Sequence, residues 1–166
     1  MLRAPDPWPG GVGVEAVLTY QGAGRRMLLA LKYANAKPVA RSLASAMARR
    51  ARRYQVDVVT WAPTATVRRR KRGYDQAEVL ARAVAWRLGV PCRCLLRRTD
   101  DAPPQTSRTR AERLDGPAFE ARRRVRGAVL VVDDVVTTGA TMRAADAALR
   151  AAGAQAVHCI AAAATP

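Results

Sequence analysis

The chain is short of cysteine, histidine and acids, and each shortage excludes something. Three cysteines (Cys92, Cys94 and Cys159) cannot all pair, so a disulfide framework is not expected and a reducing compartment fits better. His158 is the only histidine, which leaves Ser-His or Cys-His nucleophilic catalysis little support. No stretch approaches the ~20 apolar residues that a membrane span needs. Met1 to Gly13 is rich in Pro and Gly and lacks the apolar run of a secretory signal. The expectation is a cytoplasmic protein with a loose tail over 1–13 and a single domain over 14–166. No Gly-x-x-x-x-Gly-Lys-Ser/Thr loop occurs, so a P-loop nucleotide hydrolase is excluded.

Acids number 13 against 29 Lys plus Arg, a net charge of +16. Charge of this size bears on partners more than on fold. Arg41 to Arg53 carries five Arg and no acid, Arg68 to Arg72 is five consecutive cations, and Arg97 to Gly127 holds nine Arg against five acids. Anionic ligands are expected, phosphates first and nucleic acid second. Many of these Arg have a simpler role as solvated surface.

What is present is enough apolar residue, 49% of the chain, for a core of its own. Short apolar runs alternate with helical patterns. Strands are expected at Val14 to Tyr20, Val56 to Trp61, Cys92 to Leu96, Ala128 to Val132 and Ala156 to Ala162. Helices are expected at Gly24 to Tyr33, Pro38 to Arg53, the stretch after Asp75, and Gly139 to Ala152. Asp75 and Glu78 form an acidic capping box, and Gly89 with Pro91 ends that helix. The alternation predicts an α/β protein with a mostly parallel, twisted sheet flanked by helices. Arg98 to Gly127 is too long and polar for an ordinary connection, which marks a functional or disordered loop.

Val129 to Thr141 carries the chemistry: Val-Leu-Val-Val-Asp-Asp-Val-Val-Thr-Thr-Gly-Ala-Thr. A buried strand reaches two carboxylates, then a hydroxyl-rich turn opens a helix. A helix N-terminus suits a phosphate, and Gly139 lets the backbone approach closely. The carboxylates repel that phosphate and suit hydroxyls or Mg²⁺. A sugar phosphate with adjacent hydroxyls needs both. The competing reading is ordinary strand–helix packing, which does not call for two adjacent acids ahead of three hydroxyls.

The same stretch resembles the signature of type I phosphoribosyltransferases, which bind 5-phosphoribosyl-1-diphosphate (PRPP). The resemblance implies that fold, with a flexible hood loop. It implies that Asp133 and Asp134, as the catalytic pair, take the ribose hydroxyls. Thr137, Thr138, Gly139, Ala140 and Thr141 would cradle the 5-phosphate. By position, Pro63 and Thr64 would meet the diphosphate together with Arg72, and Arg108, Arg110 and Arg113 would reach it from the hood. Mg²⁺ would arrive with PRPP rather than in a protein metal cluster.

Three further blocks resemble the ComF family of competence-associated phosphoribosyltransferase-like proteins: Tyr20-Gln-Gly with Leu31-Lys-Tyr33, Arg72-Gly-Tyr-Asp-Gln-Ala-Glu78, and Thr106-Ser-Arg-Thr-Arg-Ala-Glu-Arg113. The resemblance spans about Val14 to Ala162. Many members begin with a four-cysteine zinc module, and no cysteine precedes Cys92 here. The activity implied is Mg²⁺-dependent phosphoribosyl transfer to a nitrogenous base, with diphosphate released and the base left open. The alternatives implied are a regulatory or non-catalytic PRPP-fold module that binds single-stranded DNA in DNA uptake, or a competence partner without catalysis. A homodimer is expected because it is common among relatives. Cys92, Cys94 and His158 read as structural, and Tyr74 reads as packing rather than base stacking.

Overall fold

The computed structural model describes residues 13–33, 37–64, 74–99 and 117–166. Four strands form one parallel sheet: β1 (Val14–Thr19), β2 (Val58–Trp61), β5 (Ala128–Val136) and β6 (Ala156–Ala164), in the order β1-β6-β5-β2. Helices α1 (Gly22–Tyr33), α2 (Lys37–Ala51) and α3 (Gln76–Leu88) and their apolar residues cover one face. Helix α4 (Ala140–Ala151) covers the other. The α/β class expected from the alternation is the class observed.

Strand β5 shows why. Leu130 and Val132 join the cluster with Leu43, Met47 and Leu80, while Val129 and Val131 join Met142, Ala145 and Leu149. Side chains alternate along a strand, so an unbroken apolar run fits only where both faces are covered. All four residues are fully buried.

Several expectations needed correction. β5 does not end at the acids but continues to Val136, with Asp133 beside Ala161 and Val135 beside Ala163 on β6. Backbone pairing is indifferent to side-chain charge, and the small alanines of β6 leave room for it. The strand expected at Cys92 to Leu96 is reduced to a single parallel bridge between Cys92 and Val59. There Val59 donates to Pro91 O and accepts from Arg93 N, but the next donor, Leu95 N–H, goes to the Thr60 hydroxyl. The chain then leaves the sheet and forms β3 (Leu96–Arg98), antiparallel to β4 (Phe119–Ala121). β4 lies inside the stretch read as one long loop.

Helix α3 begins and ends as its sequence signals. Asp75 caps it by accepting from Ala77 N at 3.0 Å, and Gly89 ends it at φ 72°. The capping box is only half formed, because Glu78 Oε1 accepts from Arg82 Nε and Nη2 at 3.1 and 2.8 Å. No helix among the described residues is long and apolar enough to cross a membrane.

Candidate functional site

In a parallel sheet the carboxyl ends of the strands open on one side, and ligands bind there. A cleft of about 380 Å³ lies at that edge. Asp133, Asp134 and Val135 enter it from β5, and Thr137 and Thr141 enter from the turn and first turn of α4. Ala62, Pro63 and Thr64 enter from the loop after β2. Pro63, Thr64, Asp133, Asp134, Thr137 and Thr141, singled out from sequence, thus share one cleft. Thr138, Gly139 and Ala140 complete the turn between β5 and α4. Arg72, Arg108, Arg110 and Arg113 lie outside the described residues.

The acid pair is held by its own backbone. Asp133 Oδ1 accepts from Asp134 N, and Asp134 Oδ1 accepts from Val135 N, each at 2.7 Å. Protein packs densely about Asp133 although the cleft leaves part of its surface open. This burial pushes its pKa well above the usual carboxylate range, and the neighbouring Asp134 charge pushes it further. A ligand that donates hydroxyls, or a cation, relieves both penalties.

Helix α4 starts at Gly139, whose φ of 74° is a left-handed conformation that glycine adopts without strain. No side-chain cap bond is made there, and the first turn holds no acid. Thr138 Oγ1 accepts weakly from Ala140 N at 3.4 Å, while Arg143 Nη1 donates to Thr138 O at 2.9 Å. Amides at an uncapped helix start and their positive dipole end suit an anion.

Three residues on the cleft wall were not named as site residues from sequence: Tyr20 after β1, Thr165 after β6, and Arg98 on β3. Tyr20 and Thr165 sit at strand ends that only the sheet order brings together. The Arg98 guanidinium lies over the Phe119 ring, 5.9 Å from its centre. Asp75 is a fourth omission, because its carboxylate also accepts from Thr64 N at 2.8 Å and Thr64 Oγ1 at 3.2 Å.

The remaining candidates fall elsewhere. His158 stacks on Tyr54 with ring centres 4.1 Å apart, and Cys92 and Cys94 pack against the core. Tyr74 donates its hydroxyl to Leu31 O at 2.7 Å, as expected for packing. No group of three or more His, Cys, Asp or Glu among the described residues could hold a metal ion.

Comparison with known proteins bears on the fold and the family. No curated protein matches the chain by sequence. Among solved structures, glutamine phosphoribosylpyrophosphate amidotransferase from B. subtilis, complexed with ADP and GMP, is 26% identical with a TM-score of 0.53, over 74% of this chain and 26% of that one. A structure described as the allosteric regulatory enzyme of purine biosynthesis is 26% identical with a TM-score of 0.52, over 74% of this chain and 25% of that one. This chain therefore spans about a quarter of the length of those two proteins. Adenine phosphoribosyltransferase from Leishmania tarentolae shares the fold, with 14% identity and a TM-score of 0.51 over 81% of this chain and 74% of that one. The phosphoribosyl transferase domain family matches residues 38–166, a span that takes in β2, the acid pair and the threonine turn, and the chain belongs to that family.

Proposed function

We propose that this protein binds PRPP in the cleft at the end of β5 and transfers its phosphoribosyl group to a nitrogenous base. The observation that carries this reading is one cleft holding both a carboxylate pair and a helix start without a side-chain cap. Asp133 and Asp134 take the ribose hydroxyls, and the turn from Thr137 to Thr141 takes the 5-phosphate. The bond from the ribose carbon to diphosphate breaks, a bond to the base nitrogen forms, and the base loses a proton. Departure of an anionic leaving group depends mainly on charge stabilisation, so positioning and electrostatics supply most of the catalysis.

The donor set fits Mg²⁺. Two carboxylates are hard oxygen donors, and Mg²⁺ typically takes one or two of them and completes its shell with phosphate oxygens and water. When bound with PRPP it would neutralise charge on the diphosphate. Asp133 and Asp134, which line the cleft together, are the residues that would hold it.

A thermal-shift titration with PRPP, with and without Mg²⁺, tests the reading. At 100 times Kd a ligand stabilises by about 2.7 kcal/mol, or roughly 5–10 °C for a domain of this size. A Mg²⁺-dependent rise that Asp133→Asn/Asp134→Asn loses is the expected result. No rise in a folded protein would remove the reading.

A second reading rests on the net charge of +16 and the resemblance to the ComF family. In it the chain serves DNA uptake, binds single-stranded DNA, and uses PRPP as a regulator or not at all.

A further inference from the structure

Asp75 is almost fully buried, at 3% exposure, and no cation is bonded to it in the described structure. Its carboxylate works in two directions. Oδ1 accepts from Ala77 N at 3.0 Å and so caps α3. Oδ2 accepts from Thr64 N at 2.8 Å, and Oδ1 also receives the Thr64 hydroxyl at 3.2 Å. Thr64 and Pro63 line the cleft beside Asp133 and Asp134. Capping alone does not require such a group, since Ser, Thr or Asn caps a helix about as well. The second oxygen, Oδ2, serves only the loop, through Thr64 N. Burial pushes the Asp75 pKa up, and the backbone bonds from Thr64 and Ala77 oppose that push. Burying the carboxylate disfavours its charge, a cost that a helix cap by itself does not explain.

We propose that Asp75 is a positioning residue that ties the cleft loop at Pro63 and Thr64 to the start of α3 and thereby sets affinity for a phosphorylated ligand. It acts through Thr64 and touches no ligand itself. The inference rests on the PRPP reading for the identity of the ligand. The tie between Asp75 and Thr64 does not depend on that identity.

The experiment compares the full chain with Asp75→Ser, which still caps α3 but is too short to reach Thr64, and with Thr64→Ser and Thr64→Val. The readouts are the thermal midpoint, amide hydrogen exchange at Thr64, and PRPP affinity with Mg²⁺. Expected for Asp75→Ser are a midpoint within a few degrees of the parent, at least tenfold faster Thr64 exchange, and at least tenfold weaker PRPP binding. Thr64→Ser keeps the hydroxyl that Asp75 receives and should lose less affinity than Thr64→Val. Thr64→Val should fall between, and combined with Asp75→Ser it should add little. Parent-like Thr64 exchange and parent-like PRPP affinity in Asp75→Ser would overturn the proposal. If the parent itself bound no PRPP, the PRPP reading would fail, and Thr64 exchange would still decide the tie. Should Asp75→Ser not fold, Asp75→Asn stands in: it keeps a cap oxygen, and its amide nitrogen cannot accept from Thr64 N.

Discussion

The charged form of Asp133 bears two penalties, burial first and the charge of Asp134 second. A carboxyl whose pKa is higher in the folded than in the unfolded state binds its proton more tightly when folded. Stability is then greatest below the unfolded value, near 3.9, and falls as pH rises through the folded pKa. Asp133 therefore costs stability at neutral pH, a cost that the proposed ligand would offset. Asp133→Asn removes the charge at nearly constant volume and keeps the oxygen that accepts from Asp134 N. It should stabilise the ligand-free protein at pH 7 by about 0.5–2 kcal/mol. It should also flatten the loss of stability above pH 4 and abolish the PRPP-dependent shift. Asp75, whose pKa is also raised by burial, leaves a residual slope of the same sign. Thermal denaturation between pH 4 and 8 checks this, and an unchanged midpoint would mean that the charge is compensated. Asp133 itself was legible in the sequence because strand, acids and threonine turn are contiguous. The second role of Asp75 was not, because its partner Thr64 lies eleven residues away and only folding brings them together.

At the scale of elements, the start of β5 is as tightly specified as its functional end. Asp57 N donates to Ala128 O at 2.9 Å, and Asp57 Oδ2 accepts from Ala128 N at 2.7 Å. Gly127 makes that approach with φ 76°, and a Cβ there would stand 2.3 Å from Asp57 Oδ2. Gly127→Ala must both adopt a left-handed backbone and displace Asp57. It should destabilise by about 1–3 kcal/mol in chemical denaturation, with an unchanged slope. The cleft lies at the other end of the strand, so PRPP affinity at saturating stability should persist. Elements were legible where pattern is local: β5, α3 and α4 were found from period and caps. β3 and β4 were not, because three-residue strands pair across a separation of some twenty residues and carry too few positions for a period. The end of β5 was misplaced because its last residues pair with the alanines of β6 rather than advertise themselves by hydrophobicity.

For the whole molecule the open question is what the surplus of cations meets. Ion pairs among the described residues include Arg82–Glu78 and Arg97–Glu120, which are exposed enough to contribute little each, and Arg53–Glu15 and Arg150–Asp146, whose carboxylates are largely buried. Trp86 is the one exposed large apolar side chain among the described residues, at 80% exposure, and the Arg87 guanidinium lies 5.5 Å from the centre of a Trp86 ring. Exposed Arg on α2, including Arg41 and Arg49, adds positive charge to the same face as α3. Single-stranded nucleic acid is held by such charge together with base stacking on aromatics. If the second reading holds, a fluorescent oligonucleotide of mixed sequence binds at 50 mM salt. With four phosphates neutralised, affinity falls about 50-fold by 200 mM, since the slope for single strands is about 0.7 per phosphate. Trp86→Ala then weakens binding further by about 1–3 kcal/mol, the usual value of one stacked base. Anisotropy measured with and without PRPP ranks the two readings. Steep salt dependence with no loss in Trp86→Ala means that the surplus charge collects polyanions without a built site, and the transferase reading then stands alone.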